Sequence, residues 1–159
     1  EYDLTIIGGS AKRSMSHDMI QYINSSIFVV NNFNKNINYK ILLAVDNSPG
    51  TKKAVKYGVR VAQAFGIKVE ILTVSEEENV NESHIKSSEN ASKMMRRCGV
   101  ESETKFEIGK PVEKIIEMAG EDHIIIMGAS TQSPIAKFFV GSKPLNVMQK
   151  SNCPILIVK

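Results

Sequence analysis

The sequence predicts an α/β fold with a parallel sheet over residues 39–159, and three observations lead to that prediction. Residues 41–45 form a continuous apolar run, which is typical of a strand buried on both faces. The chain that follows carries apolar side chains at helical spacing from Ala54 to Phe65. The same alternation of short apolar runs and amphipathic segments continues to residue 159, as expected of strands joined by helical crossovers.

Local signals place the individual elements of this domain. Gly66 suits the end of the first helix, because a glycine is favoured just past a helix C-terminus. Met94 and Met95 lie in the second helix and are interpreted as core residues. Pro111 suits the first turn of the third helix. Strands are predicted at residues 69–74, 104–108, 123–127 and 154–158. The alternation of apolar and polar residues at 104–108 is typical of an edge strand. Helices are predicted at residues 82–98, at residues 142–150 and from Pro111 onward.

The N-terminal part is predicted to be a separate strand–helix–strand piece. Residues 2–7 and 27–30 are apolar and β-branched, and residues 15–23 between them fit two helical turns. An Asn-rich stretch then precedes the larger domain. The predicted organisation is therefore a piece at residues 1–33, a linker at 34–38 and a complete domain at 39–159.

The loop from residue 127 to residue 142 has the layout of a phosphate cradle. An apolar strand stops at Gly128, and Gly141 and Ser142 open the next helix. A helix N-terminus offers unpaired N–H groups to an anion, and the Ser142 hydroxyl could cap the helix or bond a phosphate oxygen. From the loop alone, the alternative that these residues merely end a strand and cap a helix has equal weight. The functional interpretation gains weight from Asp46, which follows another strand and would face the same crevice if the two strands meet at the switch point of the sheet.

Composition limits the classes of function. The chain of 159 residues is large enough for one domain plus a piece, and its net charge of +3, with no basic block, does not favour a nucleic-acid partner. It contains no apolar run long enough for a membrane span, and no signal peptide is expected because the chain enters directly into a strand. Two cysteines without metal-site spacing predict reduced thiols in a cytoplasmic protein, and three scattered histidines predict no metal site.

The order and spacing of these features resemble the universal stress protein family over residues 39–159. The features that carry the resemblance are the runs at 41–48, 72–74, 109–111, 122–128 and 152–158, together with the pair Gly141 and Ser142. The resemblance implies an open, twisted, parallel five-stranded sheet in the order 3-2-1-4-5, with helices on both faces. It also implies a stress-response role.

Nucleotide-binding members of that family carry a motif of Gly, two residues, Gly, nine residues, Gly and then Ser or Thr. Gly128 matches the first glycine, and Gly141 and Ser142 match the last pair, but Thr131 replaces the middle glycine. Threonine disfavours positive φ and fills space that a glycine leaves open. The departure at Thr131 therefore bears on the contact with phosphate or ribose.

The resemblance further implies a binding site for ATP or another adenine nucleotide, with Mg²⁺ entering only through the phosphates. Asp46 would contact the nucleoside, Val74 would pack on the base, and Lys143 could add charge for a phosphate. Backbone groups around Ala44, Val45 and Met127 would line the same crevice.

The N-terminal piece repeats part of the domain's own pattern. Residues 2–9 parallel residues 121–128, and residues 26–30 parallel residues 154–158. The piece thus looks like the end of a preceding, degenerate repeat without a ligand site of its own. Dimers in this family commonly pair their final strands, so strand 27–30 is expected beside strand 155–158, as an intramolecular pseudo-dimer or within a homo-oligomer.

Two functions remain open from the sequence. The first is a universal stress protein that binds an adenine nucleotide in a regulatory role, and the second is a nucleotide-free member that acts by dimerisation and partner binding. An enzyme is not favoured, because no nucleophile–base pair or carboxylate dyad is visible and no catalytic residue is predicted. Any ATP hydrolysis would be slow and incidental.

Overall fold

A computed structural model describes residues 3–9, 17–76, 81–129 and 141–159. Within those ranges, strands and helices alternate along the chain. The elements are β1 (Leu4–Gly8), α1 (His17–Tyr22), β2 (Ser26–Val30), β3 (Lys40–Ala44), α2 (Gly50–Phe65), β4 (Val69–Ser75), α3 (Glu82–Arg97), β5 (Ser102–Ile108), α4 (Pro111–Ala119), β6 (His123–Gly128), α5 (Ser142–Lys150) and β7 (Ile155–Val158).

The strands form a single sheet in the order β1-β2-β7-β6-β3-β4-β5. The last five strands of the chain are mutually parallel and follow the order 3-2-1-4-5 when they are numbered from β3, so the predicted α/β fold is confirmed. The strand order reverses between β3 and β6, because the chain leaves β3 toward β4 and returns on the other side. The carboxyl ends of β3 and β6 therefore flank the switch point, where ligands bind in sheets of this kind.

Helices cover both faces of the sheet, because successive strand residues point to opposite faces. On one face, α4 and α5 pack on alternate strand residues such as Leu42, Leu72 and Ile125. On the other face, α2 and α3 pack on the residues next in sequence, such as Leu43 and Ile71. Met95 belongs to this second core and is fully buried, whereas Met94 is 37% exposed, so the prediction that both methionines are core residues is wrong for Met94. The two side chains differ because adjacent helix positions point in directions about 100° apart.

The N-terminal strands extend the sheet beyond β7. β2 runs antiparallel to β7, with Phe28 opposite Leu156, and β1 pairs in parallel with β2. Strands 27–30 and 155–158, which were expected to lie side by side, are therefore neighbours in the sheet. Lys159, next to β7, fixes the end of α1, because its ammonium group donates hydrogen bonds to the carbonyl oxygens of Ile20 and Ile23. The origin of residues 1–33 in a degenerate repeat stays a prediction.

An ionic cluster around the buried Glu70 lies near the amino ends of the strands, remote from the switch point. Glu70 of β4 is 6% exposed, and its carboxylate accepts hydrogen bonds from Lys40 at 3.2 Å and from Lys105 at 2.9 Å. Nε2 of His123 lies 3.2 Å from the same carboxylate. Burial alone would raise the pKa of Glu70, but the hydrogen bonds from the two lysines outweigh burial and hold the pKa below its usual range. The ionised carboxylate is thus the stable form in the folded protein.

We expect Glu70→Gln to lower the free energy of unfolding by about 1–3 kcal/mol at neutral pH, since it leaves two partly exposed lysines without their charged acceptor at a buried position. Because the folded-state pKa is depressed, the contribution of Glu70 is present above the unfolded-state pKa of about 4.3 and is lost as the pH falls through the folded-state value. Urea unfolding measured at a series of pH values from neutral down into the acidic range should therefore show that the free energy of unfolding falls less steeply with pH in Glu70→Gln than in the parent chain. Glu103→Gln, an exposed position opposite Glu70 on β5, is the control. Equal pH profiles for the two variants would contradict the role given to Glu70.

Candidate functional site

A cleft of about 400 Å³ opens at the carboxyl ends of β3, β4 and β6. Its position follows from the topology, because the strand order reverses there and the loops diverge. Seven of the ten residues predicted for the site line it, namely Ala44, Val45, Asp46, Val74, Met127, Gly128 and Lys143. Gly141 and Ser142 are the neighbours of Lys143 at the start of α5 but are not among the described lining residues. Thr131 lies outside the described residues, as does the rest of loop 130–140.

Asp46 is held rigidly in the turn that joins β3 to α2. Its Oδ1 accepts a hydrogen bond from the backbone N–H of Ser48 at 2.9 Å and another from the Thr51 hydroxyl at 2.7 Å. Burial would raise the pKa of Asp46, but hydrogen bonds from the Ser48 and Thr51 side chains outweigh it and lower the pKa. The Ser48 backbone N–H and the nearby charge of Lys143 act in the same direction. The Ser48 side chain is a third hydrogen-bonding partner of the same carboxylate. The site therefore contains an ionised carboxylate of fixed orientation on the lining of the cleft.

Gly128 is required by packing as well as by its place in the motif. A Cβ atom built on Gly128 would lie 2.6 Å from the carbonyl carbon of Gly50 and 2.8 Å from its oxygen. These are backbone atoms at the start of α2, so no side chain can move aside to make room. The close approach of β6 to the first turn of α2 brings the Asp46 turn to the edge of the cleft. The sequence indicated the glycine but not this contact, which joins residues far apart in the chain.

The start of α5 offers exposed polar groups beside the cleft. Gly141 is the N-cap residue and Ser142 is the first helical residue, and the helix has no side-chain cap. Of the two roles predicted for the Ser142 hydroxyl, the structure therefore excludes capping of the helix. Ser142 and Lys143 are exposed, so the hydroxyl and the ammonium group are accessible to an anion. Pro144 in the same turn has no N–H to donate.

The wall of the cleft that lies opposite Asp46 and Lys143 contains residues that the sequence analysis does not predict. Leu72 and Ile115 lie beside Val74 and make the inner surface apolar. Leu72 could have been found, because it points to the same face of β4 as Val74, two residues later. The remaining described lining residues come from the end of β4 and the residue after it, from the start of α3 and the residue before it, and from the first residue of α4. They have no such signal, because their place at the cleft depends on how these elements pack. These further lining residues are Ser75, Glu76, Asn81, His84 and Pro111.

The described residues of the cleft supply polar and charged groups for a ligand. Among the described residues, no group of three or more His, Cys, Asp or Glu side chains is arranged to hold a metal ion. Nor is any helix in the described ranges long and apolar enough to cross a membrane. The charged groups among the described lining residues are the carboxylates of Asp46 and Glu76 and the ammonium group of Lys143. The arrangement suits a ligand with one apolar part, hydrogen-bond donors for Asp46, and an anionic group for Lys143.

Comparison with known proteins agrees with this architecture. The model of the universal stress protein family matches residues 38–159. Universal stress protein YxiE of Bacillus subtilis (strain 168) is 28% identical over 145 residues, which cover 76% of this chain and 98% of that protein. The structure of the universal stress protein from Archaeoglobus fulgidus in complex with dAMP is 25% identical, with a TM-score of 0.63, and the match covers 77% of this chain and 99% of that one.

A second structure extends the similarity in fold to the N-terminal strands. It is a universal stress protein from Archaeoglobus fulgidus DSM 4304, with a TM-score of 0.72 and 18% identity, and the match covers 99% of this chain and 61% of that one. At this identity the match shows the fold alone. Because the family model spans more than half of the chain, the protein belongs to the universal stress protein family.

Proposed function

We propose that the cleft binds an adenine nucleotide and that the protein uses this binding in a regulatory, stress-response role. The observation that supports the proposal most directly is the set of groups on its rim. An ionised, rigidly held Asp46 lies at one strand end, and exposed Lys143 lies at the start of α5. A relative of similar fold was solved in complex with dAMP.

A nucleotide would use three parts of the cleft. The base packs on the apolar surface of Leu72, Val74 and Ile115. A hydroxyl or amino group of the nucleoside donates a hydrogen bond to Oδ2 of Asp46. The phosphates lie toward Lys143 and the N–H groups at the start of α5, where the positive end of the helix dipole favours an anion. Any Mg²⁺ enters with the phosphates, because the described residues form no metal site.

We expect isothermal titration calorimetry with AMP and ATP to give a saturable heat, and Asp46→Asn to weaken that binding by roughly ten- to a hundredfold. The asparagine carbonyl can still accept the bonds from Ser48 and Thr51, so the turn is kept. The asparagine NH₂ group, however, takes the place of Oδ2. This group is a donor, so it cannot accept the hydrogen bond from the nucleoside. Asp122→Asn, at the amino end of β6, is the control and should bind like the parent chain. Mass spectrometry of the material released by denaturing the purified protein would identify any nucleotide that co-purifies.

The second candidate is a nucleotide-free universal stress protein that acts through partners. Thr131 in place of the middle glycine favours it, as does Pro144, which removes one N–H donor from the start of α5. Absence of heat at millimolar nucleotide, with and without Mg²⁺, would overturn the first proposal and leave this one.

Assembly through the final strand is proposed to be internal to the chain. β2 occupies the edge of β7, where the family pattern would place the final strand of a second domain. We therefore propose that residues 1–33 act as half of a pseudo-dimer, and that any homo-oligomer uses another surface. A candidate surface for partner binding is the groove between α2 and α3 of the complete domain.

A further inference from the structure

A second groove, of about 310 Å³, runs between α2 and α3. It lies on the opposite face of the sheet from α4 and α5. The wall from α2 is formed by Thr51, Lys52, Val55 and Lys56, which recur at intervals of three or four residues and so share one side of the helix. The groove therefore lies along one side of α2, where that helix faces α3.

The far wall of the groove comes from α3, and the floor, which both helices form, is apolar. Ser87, Asn90, Ala91 and Met94 have the same helical spacing as the residues of the α2 wall. Val55 and Ala91 are buried at the bottom of the groove, and Met94 is 37% exposed at its edge. A flexible, polarizable methionine at a surface groove is suited to contact with varied apolar side chains.

The rim of the groove is positively charged. Lys52 and Lys56 are exposed, and neither forms a salt bridge with any residue in the described part of the chain. No carboxylate is among the described residues that line the groove. The ionised Asp46 faces the first turn of α2, so the positive charge of the rim comes from the two lysines and not from the helix dipole.

We propose that this groove binds an acidic amphipathic helix of a partner protein. An apolar floor with a cationic rim is complementary to a helix that has apolar side chains on one face and carboxylates along its edge. A free inorganic anion would use the lysines but not the apolar floor, and a neutral apolar ligand would leave the lysines unpaired. The groove is distinct from the nucleotide cleft, so the proposal does not depend on nucleotide binding.

Three synthetic peptides of about 15 residues, long enough for appreciable helix, test the proposal. All three carry the same leucines at helical spacing, and their remaining positions are glutamate, glutamine or lysine. Fluorescence anisotropy at low salt, without nucleotide, should show binding of the glutamate peptide at least about tenfold tighter than that of the other two. Equal affinities, preference for another peptide, or no binding of the glutamate peptide would overturn the proposal.

Matched charge reversals locate the binding surface. The double variant Lys52→Glu, Lys56→Glu should weaken binding of the glutamate peptide by about tenfold or more. The control, Lys86→Glu, Lys93→Glu, makes the same change in net charge at exposed positions of α3 that do not line the groove, and it should retain most of the affinity. Met94→Gln should weaken binding without changing charge. Equal losses in the two double variants would show that only net charge matters, and the groove would be rejected.

Discussion

Gly128→Ala is expected to lower the free energy of unfolding by about 1–3 kcal/mol or more and to weaken ligand binding in the cleft. The added methyl carbon would meet the carbonyl carbon of Gly50 at 2.6 Å, a distance that β-carbon contacts do not reach. Since both sides of the contact are backbone, β6 and the first turn of α2 must separate. The Asp46 turn precedes that helix and would move with it. Urea denaturation measures the first effect and nucleotide calorimetry the second.

Gly8→Ala is a well-matched control for this substitution. Gly8 ends β1 as Gly128 ends β6, but a Cβ atom at Gly8 would meet no atom within 4 Å. The control variant should therefore be close to the parent chain in both measurements. If Gly128→Ala were as stable as Gly8→Ala, the packing role assigned to Gly128 would be wrong.

Deletion of residues 1–36 is expected to cause self-association or loss of solubility. Ile27 and Val29 of β2 are fully buried against the final strand of the domain, where they help to cover Ile155 and Ile157. Without β2, β7 becomes an exposed edge of four apolar residues with unpaired N–H and C=O groups. The freed edge is then open to pairing with β7 of a second molecule.

Analytical ultracentrifugation at several concentrations would measure this outcome, with the intact chain as the reference. Sedimentation of the deletion variant should shift to larger species as concentration rises, while the intact chain should not associate through β7. A deletion variant that stays a soluble monomer with unchanged stability would show that β2 is dispensable, and the pseudo-dimer proposal would fail.

The sequence by itself determined the elements and their class. The run at residues 41–45 is apolar without alternation because β3 is covered by helices on both faces, and that pattern is local. Gly66 was predicted at a helix end and has the left-handed conformation there, with φ of 64°. The family pattern also indicated Asp46 and Val74, and the residue after Ser142 suggested Lys143 as a charge for a phosphate. The structure brings these three residues to one cleft.

Tertiary structure alone decided the contacts between residues far apart in the chain. Nothing local to Gly128 indicates that Gly50 lies against it, and nothing local to His84 places it on the wall of the cleft. The same holds for Glu70, whose charge is neutralised by lysines from the two neighbouring strands, and for Met94, which packing leaves at the edge of a groove. Periodicity and turn signals report the environment along one element, whereas these contacts depend on the register and separation of elements. Register and separation are set by the packing of the whole sheet and its helices.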